Sequence, residues 1–198
     1  MSERAVIIGL CGNVCAGKTA AAGMFRDLGA RVIDADEVSR FVTKPGKPAF
    51  ERIARRFGSG IIGADGEIDR GKLGSEVFSD EKKRKALEAI THPEIRDEIA
   101  ARVEKAVSSG ARAVVIEAAL LSRGGVLGEM VDHLVLVEAS EEKKIERIAE
   151  RDKLDEAEAR KRLKSQEGRN PDYDFVIENS AGMESLRAEI GRLWKKWL

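Results

Sequence analysis

Cysteine, histidine and proline are scarce in this chain, with two, two and four copies among 198 residues. Cys11 and Cys15 stand four positions apart with no second pair elsewhere, which argues against a zinc site, and a disulfide between them would distort the loop that holds Cys15. Neither sign of charge is in excess, since 35 Lys+Arg balance 35 Asp+Glu. That speaks against a broad nucleic-acid surface but leaves room for a local basic pocket. No apolar run approaches the roughly 18 residues of a membrane span, and the first residues read as a strand, not a signal peptide. The expected location is the cytoplasm, with no membrane partner. Internal repeats and low-complexity tracts are missing too.

What is present suits an α/β protein: 42% hydrophobic and 35% charged residues, in a length that suffices for one sizeable core and an insertion. Short apolar runs read as buried strands at AVIIGLC, RVIDAD (31–36), ARAVVIEAALL (111–121), HLVLVEA (133–139) and DFVIEN (174–179). Helical patterns alternate with them, which predicts a doubly wound parallel sheet with its ligand at the carboxyl ends of the strands. From about Pro48 to Gly110 no strong strand occurs, too long a stretch for one crossover helix, so a helical subdomain is expected over 45–110. The nucleotide core is then 1–44, 111–139 and 168–198. The highly charged 140–167, with Ile145, Ile148, Leu154 and Leu163 at helical spacing, is the expected lid.

The first strand runs directly into Gly12-Asn13-Val14-Cys15-Ala16-Gly17-Lys18-Thr19. This is the G-x-x-x-x-G-K-S/T phosphate loop, in the strand–loop–helix context that its mechanism needs. Backbone N–H groups of the loop and first helical turn can surround phosphate oxygens, Lys18 adds a full charge, and the Thr19 hydroxyl is a ligand for Mg²⁺. A GTPase should also carry D-x-x-G, which occurs nowhere, and a guanine-reading N/T-K-x-D; the DKLD at 152–155 starts with the wrong residue. A motor or transport ATPase would need more chain. A small-molecule kinase with ATP as phosphate donor remains.

Taken in order, GNVCAGKT, LGARVIDADEVSR (28–40), KPGKPAF (44–50), DGEIDRGKLGSEVFSD (65–80), ITHPEI (90–95), RLKSQ (162–166) and DFVIEN (174–179) resemble dephospho-CoA kinase over nearly the whole chain. The resemblance implies a P-loop kinase fold and transfer of the ATP γ-phosphate to the ribose 3′-hydroxyl of dephospho-CoA, the last step of coenzyme A synthesis. Another small-molecule P-loop kinase, acting on a nucleoside monophosphate or a sugar acid, is the alternative within enzymes. A nucleotide-sensing protein without catalysis is the alternative outside them. Two segments depart from the family. Its loop usually reads TGGIGSGKS, part of which Asn13, Val14 and Cys15 replace, and its D-x-P-L-L-F-E segment here reads Glu117-Ala118-Ala119-Leu120-Leu121-Ser122-Arg123.

Asp36, the second acid of DAD, is the candidate general base to which the resemblance points; an N-cap for the following helix is the other reading. Asp34 is a candidate cap or supporting acid. Glu117 stands at the carboxyl end of a buried strand, where an acid can hold Mg²⁺ through water or orient the acceptor, or be merely solvated. His92, before Pro93, reads as opening a helix, and the resemblance places it near the acceptor; capping or packing is the alternative. His133 reads as structural. Arg147, Arg151, Arg160 and Arg162 are candidate lid cations for ATP, with Arg147 foremost, against a plain solvated helix face. Asn179 is placed near the adenine by likeness to similar kinases, or is a turn asparagine.

Overall fold

The computed structural model describes residues 4–119, 121–164 and 173–198. Residues 165–172, which include the end of the expected lid and of the RLKSQ motif, lie outside the described residues. Five strands form the expected parallel sheet: β1 (Val6–Gly12), β2 (Arg31–Asp34), β3 (Ala113–Glu117), β4 (His133–Glu138) and β5 (Phe175–Glu178), in the order β2-β3-β1-β4-β5. The inner strands β1, β3 and β4 behave as buried parallel strands because both faces are covered. Val114, Val115 and Ile116 have no exposure at all, and their branched side chains fit a pleated surface.

β1 lies at the centre, with β3 on one side and β4 on the other. Its ladder to β3 runs to Leu10↔Glu117, while its ladder to β4 continues to Gly12↔Val137. The chain order reverses direction at β1, so a crevice opens at its carboxyl end, the usual ligand position in such sheets. Helices α1 (Lys18–Asp27) and α8 (Met183–Trp197) share a core with the sheet, in which Phe25, Ile8, Leu10, Ile177 and Leu186 are buried. Burying Phe25 alone contributes about 2–3 kcal/mol. Helices α6 (Glu141–Asp152) and α7 (Glu156–Lys164) form a smaller cluster through Ile145, Ile148, Ala159 and Leu163, onto which Val14 and Cys15 of the phosphate loop pack.

The chain divides into two compact units. One comprises residues up to Asp34 and from Val103 onward; the other is Ala35–Arg102. The division thus falls at 34/35 and 102/103, whereas the sequence suggested 44/45 and 110/111. The second unit holds α2 (Ala35–Val42), α3 (Pro48–Phe57), α4 (Arg70–Phe78) and most of α5 (Glu81–Ser108). It has its own core of Ile53, Ile61 and Leu73, flanked by Phe57, Ile68 and Leu87. Pro48 occupies the first turn of α3, where its missing N–H costs nothing, and the Asp69 carboxylate caps α4 by accepting from the Lys72 N–H at 3.0 Å. Among the described residues no helix is long and apolar enough to cross a membrane.

Candidate nucleotide site

The loop between β1 and α1 is shaped by close approaches that only small residues allow. A Cβ on Gly12 would lie 2.6 Å from the Val137 carbonyl oxygen, so the strand can pass β4 here only as glycine. The loop turns with the Ala16 N–H donating to the Asn13 carbonyl at 3.1 Å, and both Cys15 (φ 55°) and Gly17 (φ 101°) adopt left-handed conformations. Gly17 leads into α1 without a side-chain cap, and the first turn of α1 contains no acid. The positive end of the helix is therefore not neutralised within its own sequence, which is the condition for binding an anion there.

Three side chains converge at this point. The Thr19 hydroxyl donates to Glu117 Oε1 at 2.9 Å, and Lys18 Nζ stands 3.7 Å from the same oxygen. Glu117 is 7% exposed and ends β3. Its register partner on β2 is Asp34, so two acids mark the same end of the sheet. On the other side, Asn13 Nδ2 donates to Glu138 Oε2 at 3.4 Å, while the buried Lys144 donates to Glu138 Oε1 at 2.8 Å. Lys144 neutralises that carboxylate, so Glu138 can anchor the loop without repelling an anion. This anchor was not foreseen in the sequence, although an acid at the end of HLVLVE was visible as a signal.

Arg147 and Asn179 reach the loop through its carbonyls. Arg147 Nη1 donates to the carbonyls of Cys15 (3.0 Å) and Ala16 (3.3 Å), and its Nη2 donates to the Asn179 carbonyl (2.9 Å). Asn179 Nδ2 donates to the Ala16 carbonyl at 2.7 Å, and the side chain is almost wholly enclosed. A Cβ on Gly17 would fall 2.0 Å from that Nδ2. Gly17→Ala should therefore displace Asn179 as well as strain a left-handed residue, at a combined cost above the roughly 1–2 kcal/mol of the strain alone. A melting temperature lowered by several degrees, with ATP binding lost, is the expected result. The other arginines face acids of their own helices or the neighbouring one: Arg151 and Arg162 pair with Asp152, and Arg160 with Glu141 and Glu156. Arg151 hydrogen-bonds Asp152 and holds its carboxyl below the usual range.

Two expectations about position are corrected. Asp36 does not end a strand: β2 stops at Asp34, and Asp36 lies exposed in the first turn of α2, where a negative side chain favours the helix terminus. His92 does not open a helix. It sits exposed within α5, which continues through Pro93. Pro93 has no N–H for the Ala89 carbonyl, and because Ala89 is exposed, water can take that carbonyl instead. Both residues belong to the second unit. His133 is structural, stacked on Trp197 with ring centroids 4.5 Å apart. Burial raises the Cys11 thiol to about 11, keeping it neutral and inert. Among the described residues no cluster of three or more His, Cys, Asp or Glu could hold a metal.

A family model described as dephospho-CoA kinase matches residues 6–185. A dephospho-CoA kinase of Geobacillus kaustophilus is 39% identical over 193 residues, covering 96% of each chain. One of Bacillus thuringiensis is 38% identical over 195 residues, covering 97% of each. Among solved structures, a protein of Thermus thermophilus superposes with a TM-score of 0.78 and 29% identity, over 98% of this chain and 99% of that one. The dephospho-CoA kinase of Campylobacter jejuni, 24% identical, superposes with a TM-score of 0.67 over 96% of each chain and so shares the fold.

Proposed function

The chain belongs to the dephospho-CoA kinase family, and from that premise we propose which residues carry out the reaction. The activity is ATP-dependent phosphorylation of the ribose 3′-hydroxyl of dephospho-CoA, giving coenzyme A and ADP. The observation that supports the assignment most is the uncapped start of α1 with Lys18, Thr19 and Glu117 gathered at it.

In this reading the loop N–H groups and Lys18 hold the β- and γ-phosphates of ATP and stabilise the charge that spreads over the transferred group. The family uses ATP, generally with a divalent metal; we assign Mg²⁺. Thr19 and Glu117 offer adjacent hard oxygen donors, the type and number that Mg²⁺ takes from a protein when phosphates and water fill its remaining positions. Bound there, the ion would neutralise phosphate charge. Asp36 accepts the proton of the 3′-hydroxyl as the new O–P bond forms and the bond from the γ-phosphorus to the ADP oxygen breaks. The helical insertion, with His92, takes the acceptor, and α6–α7 belong to the lid. The cytoplasm is the proposed location.

Coupled ADP release tests the reading. Addition of dephospho-CoA is expected to raise the rate far above that with AMP, gluconate or no acceptor. A rate highest with AMP or gluconate would move the enzyme to another acceptor class, and no acceptor-dependent rate would leave a nucleotide-binding protein.

A further inference from the structure

We infer that Asn179, together with Arg147, is a positioning residue that sets the Ala16–Gly17 peptide for phosphate binding, and that the Asn179 side chain acts on the loop and not on adenine. The inference rests on the loop's being the ATP phosphate site. The Ala16 carbonyl receives two donors, Asn179 Nδ2 at 2.7 Å and Arg147 Nη1 at 3.3 Å. Because the peptide is trans, that carbonyl and the Gly17 N–H lie on opposite edges of one plane. Fixing the carbonyl therefore fixes the N–H on the other edge, the last loop donor before α1.

The donors of the clamp are engaged, while Asn179 Oδ1 is buried without a partner among the described residues. Arg147 bridges two loop carbonyls and the Asn179 carbonyl with one planar fork, and the Asn179 N–H is fixed to the Glu138 carbonyl of β4 at 2.7 Å. The Asn179 amide must present its nitrogen to Ala16, since a carbonyl only accepts. A lysine at 147 could not span the three oxygens. Asn179 has 2% exposure, and its amide nitrogen occupies the space a Gly17 side chain would need. Its amide nitrogen is thus committed to the loop, which accounts for an asparagine held in a buried position directly after an edge strand.

The test separates the two ends of the nucleotide. Affinities for inorganic tripolyphosphate and for adenosine are measured on the same samples of wild type, Asn179→Ala and Asn179→Asp. Asparagine to aspartate keeps the shape but turns an oxygen toward the Ala16 carbonyl, and comparing two ligands on one sample cancels any unfolded fraction. The clamp requires tripolyphosphate affinity to fall about tenfold, the worth of one such hydrogen bond, with adenosine affinity unchanged and kcat lowered. Loss of adenosine affinity with tripolyphosphate unaffected would make Asn179 an adenine contact and overturn the inference. Equal losses for both ligands, or none, would overturn it as well. If wild type itself failed to bind tripolyphosphate, the phosphate-loop reading would fall, a result distinct from failure of the clamp.

Discussion

Replacing Lys18 by alanine is expected to lower phosphoryl transfer by at least about 10³-fold while leaving the fold intact. Lys18 is the first residue of α1, and among the described residues its one ion contact is to Glu117 at 3.7 Å. Alanine is the best helix former, so the helix gains what the lost contact gave up. After the change Glu117 still accepts from Thr19, so no buried carboxylate is left without a donor. What disappears is the fixed positive charge at the phosphate mouth, for which neither the loop N–H groups nor a bound ion is a replacement. Steady-state ADP release and a thermal melt of the same preparation measure the two halves of the expectation. Near-normal turnover would remove the phosphate-loop assignment, and a collapsed melting transition would show that Lys18 serves the fold.

Asp36→Asn is expected to cut turnover by roughly 10²–10⁴, with ATP affinity little changed because the phosphate loop is untouched. Asparagine keeps the shape and can still orient a hydroxyl but cannot take its proton. Phosphoryl transfer through a largely dissociative transition state needs limited base assistance, so a loss at the lower end would fit an orienting role. The first turn of α2 loses a favourable acid, but Glu37 remains beside it, so stability should change little. Activity within about threefold of wild type, well below that range, would exclude the role and turn attention to Asp34 or Glu117.

The sheet was legible because its inner strands β1, β3 and β4 are built on apolar runs, the mark of a parallel strand buried on both faces, while the short outer strands each keep an apolar stretch, Val32-Ile33 and Phe175–Ile177. The phosphate loop was legible for a different reason. Gly12 and Gly17 are demanded by a close carbonyl and by a left-handed backbone, so the chemistry is written into which side chains are missing. Asp36 was misplaced because RVIDAD continues apolar–polar alternation past the point where the backbone turns helical. In α5 the sequence read a new helix opening at His92, before Pro93, whereas an exposed proline is tolerable within one helix when the carbonyl that it leaves without a donor, that of Ala89, belongs to an exposed residue. The contacts of Asn179 and Arg147 join residues more than a hundred positions apart, and no local pattern encodes them. The charge of Arg147 and the likeness of Asn179 to its counterpart in similar kinases suggested a nucleotide contact; only the fold shows that they hold the loop's carbonyls.

The two outermost strands, β2 and β5, are each four residues long. Roughly half of the peptide groups in such a strand point outward, so each side of the sheet presents only about two open hydrogen-bonding positions to another chain. Arg31 and Glu178, both exposed, place a charge on each of these short strands. A second copy would have to desolvate a charge to gain one or two backbone bonds. When the protein is concentrated, edge-to-edge zippering is therefore a poor route to aggregates.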